Sequence, residues 1–130
     1  MITPKVVKRF DLTKTTFIIP LRIETDDRMR NIITTLIYLT RNFDTKIIVK
    51  EVDKESVYER EVLPLLEQAL EPDMLASIHH IFEQSDDFTF HRTKILNDML
   101  WEVDTPVTVN YDSDILLPVE SYVSAANMIS

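Results

Sequence analysis

The sequence predicts an α/β fold in which a mainly parallel sheet carries helices on both faces. Short continuous apolar runs, at residues 17–19 and 47–49, are typical of strands that are buried on both sides. The segments between such runs place apolar residues at helical spacing, with charged residues opposite them. Strands that alternate with amphipathic helices favour a parallel sheet with right-handed crossovers. Because 45% of the 130 residues are hydrophobic, we expect one domain, spanning residues 1–130.

The first half of the chain predicts two strands around one long helix. Residues 1–14 have a mixed composition and are expected to form a loose leader or an edge strand. The first buried strand should end at Pro20. Thr25 and Asp26 are suitable N-cap residues, and the helix behind them should end near Asn42. Its apolar stripe consists of Met29, Ile32, Ile33, Leu36 and Ile37.

The second half predicts further helices between two more strands. Residues 54–70 are expected to be helical, although Pro64 should kink or split them. Residues 77–82 and 107–111 are the candidate strands, and residues 91–103 form the helix between them. In residues 54–70 the inward residues are expected to be Val57, Val62, Leu65, Leu66 and Leu70. In residues 91–103 they are expected to be Ile95, Leu96, Met99, Leu100 and Val103. Pro118 should open a last helix, with Val119, Tyr122, Val123 and Ala126 facing inward.

Composition excludes several functional classes. The net charge of −8 argues against nucleic-acid binding and against a basic membrane-binding surface. No run of apolar residues is long enough to span a membrane, and the N-terminus lacks the apolar core of a signal peptide, which favours the cytoplasm. The chain has no cysteine, and it has no glycine for a phosphate-binding loop. If the protein binds a nucleotide, a metal held by carboxylates is the obvious way to hold the phosphates.

Polar side chains follow each predicted strand. In parallel sheets, ligands bind beyond the carboxyl ends of the strands, here called the carboxyl edge. The residues at this predicted edge are Arg22 with Glu24, Glu51 with Asp53, Glu83, and Asp112 with Asp114. This shared edge predicts a binding site independently of any family comparison.

Asp112 and Asp114 are the candidate metal ligands. Residues at i and i+2 of an extended chain point to the same side, so these carboxylates can converge on one Mn²⁺ or Mg²⁺. Such an ion would bridge diphosphate oxygens and act as a Lewis acid. The alternative is a solvated turn in which Asp112 or Ser113 caps the next helix, since an Asp-x-Asp triplet alone is a weak motif.

The cations and histidines also have two interpretations each. Arg22 could bind phosphate through its guanidinium, and Arg92 with Lys94 opens a helix whose N-terminus suits an anion. All three could equally be ordinary surface residues. His79 and His80 point to opposite sides of a strand, so packing or hydrogen bonding is favoured over a shared metal.

Three segments carry a resemblance to a known family. Ile18-Ile19-Pro20-Leu21-Arg22 resembles the first-strand motif of beta-1,4-galactosyltransferases and chondroitin-polymerase-type glycosyltransferases. Residues 90–97, Phe-His-Arg-Thr-Lys-Ile-Leu-Asn, are similar to their Phe-Asn-Arg-Ala-Lys-Leu-Leu-Asn motif. Residues 112–118 are similar to their Asp-Val-Asp segment, which is also followed by apolar residues and proline. The motifs occur in the family's order.

The resemblance implies the Rossmann-like nucleotide-binding half of a GT-A glycosyltransferase. It implies a nucleotide-diphosphate sugar as ligand, with a UDP-sugar favoured, and transfer of a hexose or N-acetylhexosamine to a glycan acceptor. It also implies Mn²⁺ or Mg²⁺ as cofactor. The implied nucleotide-sugar contacts are Pro20, Leu21, Arg22, Phe90, Arg92, Asp112 and Ser113, with Asp53 or Glu51 near the base; the implied metal ligands are Asp114 and Asp112.

The chain also departs from that family. His91 stands where the family motif has asparagine. The family's acceptor site and catalytic carboxylate lie downstream of the third motif, so we expect this chain to lack its catalytic half, which a partner chain or second copy could supply. The alternatives are a non-catalytic α/β interaction module with an acidic sheet edge, and a nucleotidyltransferase, which the absence of a glycine-rich phosphate loop disfavours.

Overall fold

Four parallel strands form the centre of the protein. The computed structural model describes residues 10–110. The strands are β1 (Phe10–Leu21), β2 (Phe43–Asp53), β3 (Ile78–Gln84) and β4 (Val107–Asn110), and their order in the sheet is β3-β2-β1-β4. All neighbouring pairs are parallel. The predicted α/β class with a parallel sheet is therefore confirmed, and the fold is Rossmann-like.

The strand order creates one topological switch point. The chain moves outward from β1 through β2 to β3 and then returns to the other side of β1 to form β4. This is the 3-2-1-4 order found in doubly wound nucleotide-binding folds, in which ligands bind at the carboxyl edge where the direction reverses. Here that position lies between the ends of β1 and β4.

The helix α1 (Asp26–Asn42) covers one face of the sheet. Its N-cap is Thr25, whose hydroxyl accepts a hydrogen bond from the amide of Arg28 at 3.1 Å. Asp26 and Asp27 lie in the first turn, where carboxylates interact favourably with the helix dipole. The predicted start and end of this helix are confirmed.

The second helical region is split, as Pro64 predicts. A π-helix (Tyr58–Val62) leads into α2 (Leu63–Ala69), with Pro64 in the first turn of α2, where a missing N–H is tolerated. The short helix α3 (Pro72–Ala76), which the sequence analysis did not separate, precedes β3. Leu65 was expected to face inward together with Leu66 but is 46% exposed, because Leu66 is the buried residue of this short helix and the adjacent position points away from the core.

Helix α4 (Arg92–Leu100) covers the opposite face of the sheet. Ile95 and Met99 pack against Ile18 and Ile48 there. Leu100 was expected to face inward but is 49% exposed, because the helix is short and its inward positions are those at residues 95 and 99. Helices therefore lie on both faces, as predicted. The larger core, on the other face, includes Phe17, Ile19, Leu21, Ile32, Leu36, Leu39, Ile47, Val49, Tyr58, Val62 and Leu66.

Strand β1 is longer than its apolar run. Residues 10–14 belong to this central strand rather than to a loose leader or an edge strand. The polar side chains Thr15 and Thr16 are buried, and the hydroxyl of Thr16 lies 2.6 Å from that of Thr105. A register irregularity between Asp11 and Thr16 interrupts the pairing with β2. The sequence analysis missed this part of the strand because it is not apolar.

No helix in the stretch from residue 10 to residue 110 combines the length and the apolar character that a membrane crossing requires. The helix expected after Pro118 lies outside the described residues.

Candidate functional site

A cavity of about 330 Å³ lies at the carboxyl end of β1. It is bounded by the end of β1, the first turn of α1 and the first residue of α4. Its lining residues are Pro20, Arg22, Glu24, Thr25, Arg28, Phe90 and Arg92. The cavity therefore lies at the carboxyl edge beside the switch point, where doubly wound folds bind their ligands.

Arg22 is held in place by backbone groups from two other segments. Its Nε donates to the carbonyl of Val52 at 2.8 Å, and its Nη1 donates to the carbonyl of Phe88 at 3.1 Å. Its guanidinium carbon lies 5.3 Å from the centre of the Phe90 ring, within cation–π range. A guanidinium has further N–H donors beyond these two, so a fixed cation with free hydrogen-bonding capacity lines the cavity.

The cavity concentrates positive charge in an acidic chain. Arg22, Arg28 and Arg92 line it, with Glu24 as the carboxylate among the lining residues, although the net charge of the protein is −8. Across residues 10–110, neither Arg28 nor Arg92 forms an ion pair with a carboxylate. Two cations that pair with no carboxylate in this range, placed around a concave surface, are suited to an anion with several oxygens.

Two helix N-termini add to this positive field. Helix α1 begins beside the cavity at Thr25, and α4 begins at Arg92. The side chain of His91, at the N-cap of α4, bonds to Asp87 rather than to the N–H groups of the helix. The amide of Arg92 donates to the carbonyl of Phe90 at 3.0 Å, and the N-terminal partial positive charge of α4 lies at Arg92, which lines the cavity.

The structure brings together four of the predicted site residues from two distant motifs. Pro20 and Arg22 come from the first motif, and Phe90 and Arg92 come from the second. The side chain of Leu21 is 1% exposed and packs in the larger core, so only its backbone is near the carboxyl edge.

The remaining predicted residues of the described part lie elsewhere. Asp53 does not line the cavity; its carboxylate accepts from the amide of Lys54 at 2.7 Å, and its carbonyl accepts from the amide of Ser85 at 2.8 Å. Lys94 lines a second cavity of about 100 Å³ with His91 and Asp87. Asp112, Ser113 and Asp114 lie outside the described residues. The last described residue of β4, Asn110, pairs with Ile18, two positions before Pro20.

The predicted metal ligands, Asp112 and Asp114, lie outside the described residues, so metal binding stays a prediction. From residue 10 to residue 110, no three His, Asp or Glu side chains are arranged to hold a metal ion. The donor chemistry of the cavity itself is cationic and suits an anion rather than a metal.

Arg28 and Thr25 line the cavity although the sequence patterns did not predict them as site residues. Arg28 lies one helical turn after the N-cap Thr25, which places its side chain at the same end of α1 as the cap. The N-cap itself was predicted, and the helix that follows β1 in a parallel sheet must start at the carboxyl edge. The information needed to include Arg28 was therefore present in the sequence.

Glu51 has a different role from the one expected of it. It is fully buried on the side of the larger core, and its carboxylate accepts hydrogen bonds from the Ser56 hydroxyl at 2.6 Å and the Tyr58 amide at 3.1 Å. Its Oε1 lies 3.1 Å from Nε2 of His80, whose ring stacks on Tyr58. Glu51 thus anchors the start of the π-helix, and His80 has the hydrogen-bonding role that was predicted for it.

These hydrogen bonds set the pKa of Glu51. Burial of the carboxylate alone would raise its pKa, but the bonds from His80, Ser56 and Tyr58 outweigh that effect and hold the pKa below its usual value of 4.5. Burial, with the Glu51 charge as a smaller cause, raises the pKa of the Tyr58 hydroxyl. The Glu51 carboxylate therefore has a structural role as a buried anion and is not available to a ligand.

The loop at residues 85–91 is braced by its own side chains. Asp87 accepts from the amide of Thr89 at 2.9 Å and lies 2.8 Å from Nε2 of His91. The bond from the Thr89 amide, followed by the one with His91, holds the pKa of Asp87 below its usual range. The loop presents Phe88 with 98% of its surface exposed.

Comparison with family models, with curated proteins and with solved structures found no match. The fold and the cavity define the class: an α/β protein of Rossmann-like topology with an arginine-lined cavity at its switch point.

Proposed function

We propose that this chain binds a nucleotide-diphosphate sugar in the arginine-lined cavity, as the donor-binding part of a GT-A-type glycosyltransferase. The observation that carries the proposal is the convergence of Pro20 and Arg22 with Phe90 and Arg92. These residues belong to two motifs about 70 positions apart, and the family resemblance assigns both motifs to the nucleotide. Their meeting at the switch point of a parallel sheet is what a nucleotide site requires.

In this proposal, arginine side chains bind the phosphates in place of a glycine-rich loop. Glycine-rich loops hold phosphates through backbone N–H groups that approach the ligand closely. In this chain, guanidinium groups of Arg22, Arg28 and Arg92 would replace them, each with paired donors that fit phosphate oxygens. Arg22 is fixed by Val52 and Phe88 and therefore loses little side-chain entropy on binding.

A divalent metal completes the proposal. Asp112 and Asp114, with Ser113 between them, follow β4, which is the strand adjacent to β1 at the switch point. Mn²⁺ or Mg²⁺ held by these carboxylates would polarise the diphosphate of the donor when bound. The acceptor would be a glycan hydroxyl, and the residues that deprotonate it would come from a partner chain or a second copy, in the cytoplasm.

The non-catalytic alternative has less support at this edge. It rests on an acidic rim, whereas the cavity at the end of β1 is lined by three arginines and one glutamate. An arginine-lined cavity of this size favours a small anionic ligand over a solvated acidic surface.

Calorimetric titration of the full chain with UDP, with and without Mn²⁺, tests the proposal. We expect binding that is strengthened by Mn²⁺, and loss of that strengthening in Asp114→Ala. Asp44→Ala is the matched control, because Asp44 is exposed at the start of β2, at the opposite edge of the sheet. Absence of heat with UDP and with GDP, in both conditions, would refute a donor site.

A further inference from the structure

We propose that Phe88 is the platform on which the base of the bound nucleotide stacks, whereas the family resemblance places Phe90 at the nucleotide. The inference rests on the proposed nucleotide site. It follows from the surroundings of the two phenylalanines.

Phe90 lines the cavity, but its ring is already in contact with other groups of the protein. Its ring is half-buried and packs against the smaller core beneath α4. The Arg22 guanidinium, fixed by its bonds to Val52 and Phe88, lies over the ring at 5.3 Å from its centre. Phe90 therefore contacts the Arg22 guanidinium with one face of its ring, and less of its aromatic surface is left for a base.

The side chain of Phe88 is exposed, whereas hydrogen bonds hold the backbone of its loop. Its carbonyl accepts from Arg22 Nη1 at 3.1 Å, so the residue is tied to a side chain that lines the cavity. The neighbouring residues are braced by the bonds of Asp87 with Thr89 and His91. Ser85 at the start of the loop donates its amide to the carbonyl of Asp53 at 2.8 Å.

The exposed ring of Phe88 is suited to stack on a planar aromatic group that is attached to an anion. A phenyl ring that is 98% exposed leaves nearly all of its apolar surface in water, and burial of such surface is favourable. An aromatic ring can stack on any nucleobase, because every base has a π-face. Phe88 does not line the cavity itself, but its carbonyl bonds to Arg22, which does. The proposal places a diphosphate among Arg22, Arg28 and Arg92 and the attached base over the Phe88 ring.

The test compares UDP with pyrophosphate, both titrated into the full chain with Mg²⁺. Since pyrophosphate lacks the base, Phe88→Ala should weaken UDP binding by about 5- to 100-fold and leave pyrophosphate affinity unchanged. Phe88→Tyr should retain UDP affinity. Trp101→Ala is the matched control, because Trp101 is also exposed, at 89%, but follows the distant end of α4; it should change neither affinity.

The outcomes separate the two proposals. Wild-type protein that binds neither UDP nor pyrophosphate refutes the nucleotide site, and the Phe88 proposal with it. Wild-type binding of UDP that Phe88→Ala leaves intact overturns the Phe88 proposal alone. An equal loss of UDP and pyrophosphate binding in Phe88→Ala also overturns it, because the side chain would then shape the loop rather than contact a base.

Discussion

Glu51 and His80 form a buried hydrogen bond of 3.1 Å between neighbouring strands, with Glu51 fully buried and the His80 ring stacked on Tyr58 at 4.1 Å between centroids. The remaining bonds to Glu51 come from Ser56 and Tyr58 at the entry to the π-helix. One carboxylate thus joins β2, β3 and the helical segment between them. A buried charge is stable only while it is paired. Because protonation of Glu51 would remove its charge, the stability contributed by this network depends on pH.

The first prediction is acid sensitivity that depends on Glu51. Its folded-state pKa lies below the usual 4.5, so its ionised form contributes stability above that pH, and the contribution is lost as pH falls towards the folded pKa. Urea denaturation from about pH 7 to about pH 3 should show a decline that is smaller in Glu51→Gln. Glu67→Gln, at an exposed position of α2, is the control and should decline like wild type. An identical pH profile in wild type and Glu51→Gln would contradict the assignment.

The second prediction concerns how α4 is attached. Met99 is fully buried against Ile18 and Ile48, so Met99→Ala should lower the free energy of unfolding by about 2–5 kcal/mol. Leu100→Ala, one residue later and 49% exposed, should change it by about 0.5 kcal/mol or less. Denaturant unfolding at neutral pH measures both. Equal losses in the two variants would mean that the inward face of α4 is wrongly assigned.

The third prediction concerns the two arginines of the cavity that form no ion pair with residues 10–110. Arg28→Gln and Arg92→Gln should each weaken pyrophosphate binding by about 10-fold, with a smaller effect as salt increases. Arg60→Gln makes the same charge change at the π-helix, where Arg60 pairs with Glu55, and should leave binding unchanged. Calorimetry at several salt concentrations distinguishes them. Losses of equal size in all three variants would indicate a net-charge effect instead of a site.

The fourth prediction separates the charge of Arg22 from its geometry. Arg22→Lys keeps the charge but cannot donate to both Val52 and Phe88 in the same fork. Hydrogen exchange should become faster at the amides of Thr89 and Asp87, and UDP binding should weaken. Arg41→Lys, which alters a single bond to the carbonyl of Ala69, is the control and should leave this loop unchanged. Unaltered exchange in Arg22→Lys would show that the loop does not need the guanidinium.

Much of the fold could be predicted because local patterns and the fold agreed. The strand at residues 17–19 and the N-cap at Thr25 could each be predicted from residues that are close in sequence. The polar half of β1 could not be found this way. Thr15 and Thr16 are buried because distant partners satisfy them: Thr45 donates to the carbonyl of Thr15, and Thr105 bonds to the hydroxyl of Thr16.

The site was predicted in part, for a similar reason. Placement of Arg22 and Arg92 at the carboxyl edge followed from the order of strands and helices. The burial of Glu51 could not be predicted from that order, because a carboxylate after an apolar run suggests an exposed strand end. Its hydrogen bonds come from Ser56 and from His80, which is 29 positions away, and only the folded chain shows this pairing.

The return of the chain to β1 has a consequence for biosynthesis. One edge of β1 pairs with β2 early, but its other edge receives β4, so Thr15 pairs with Val107 and Phe17 with Val109. During synthesis, this edge of β1 therefore stays unpaired until almost all of the described chain has emerged. An open apolar edge can recruit other strands, which makes nascent chains the species most prone to aggregation. Expression yield should thus depend on how promptly residues 107–110 close the sheet.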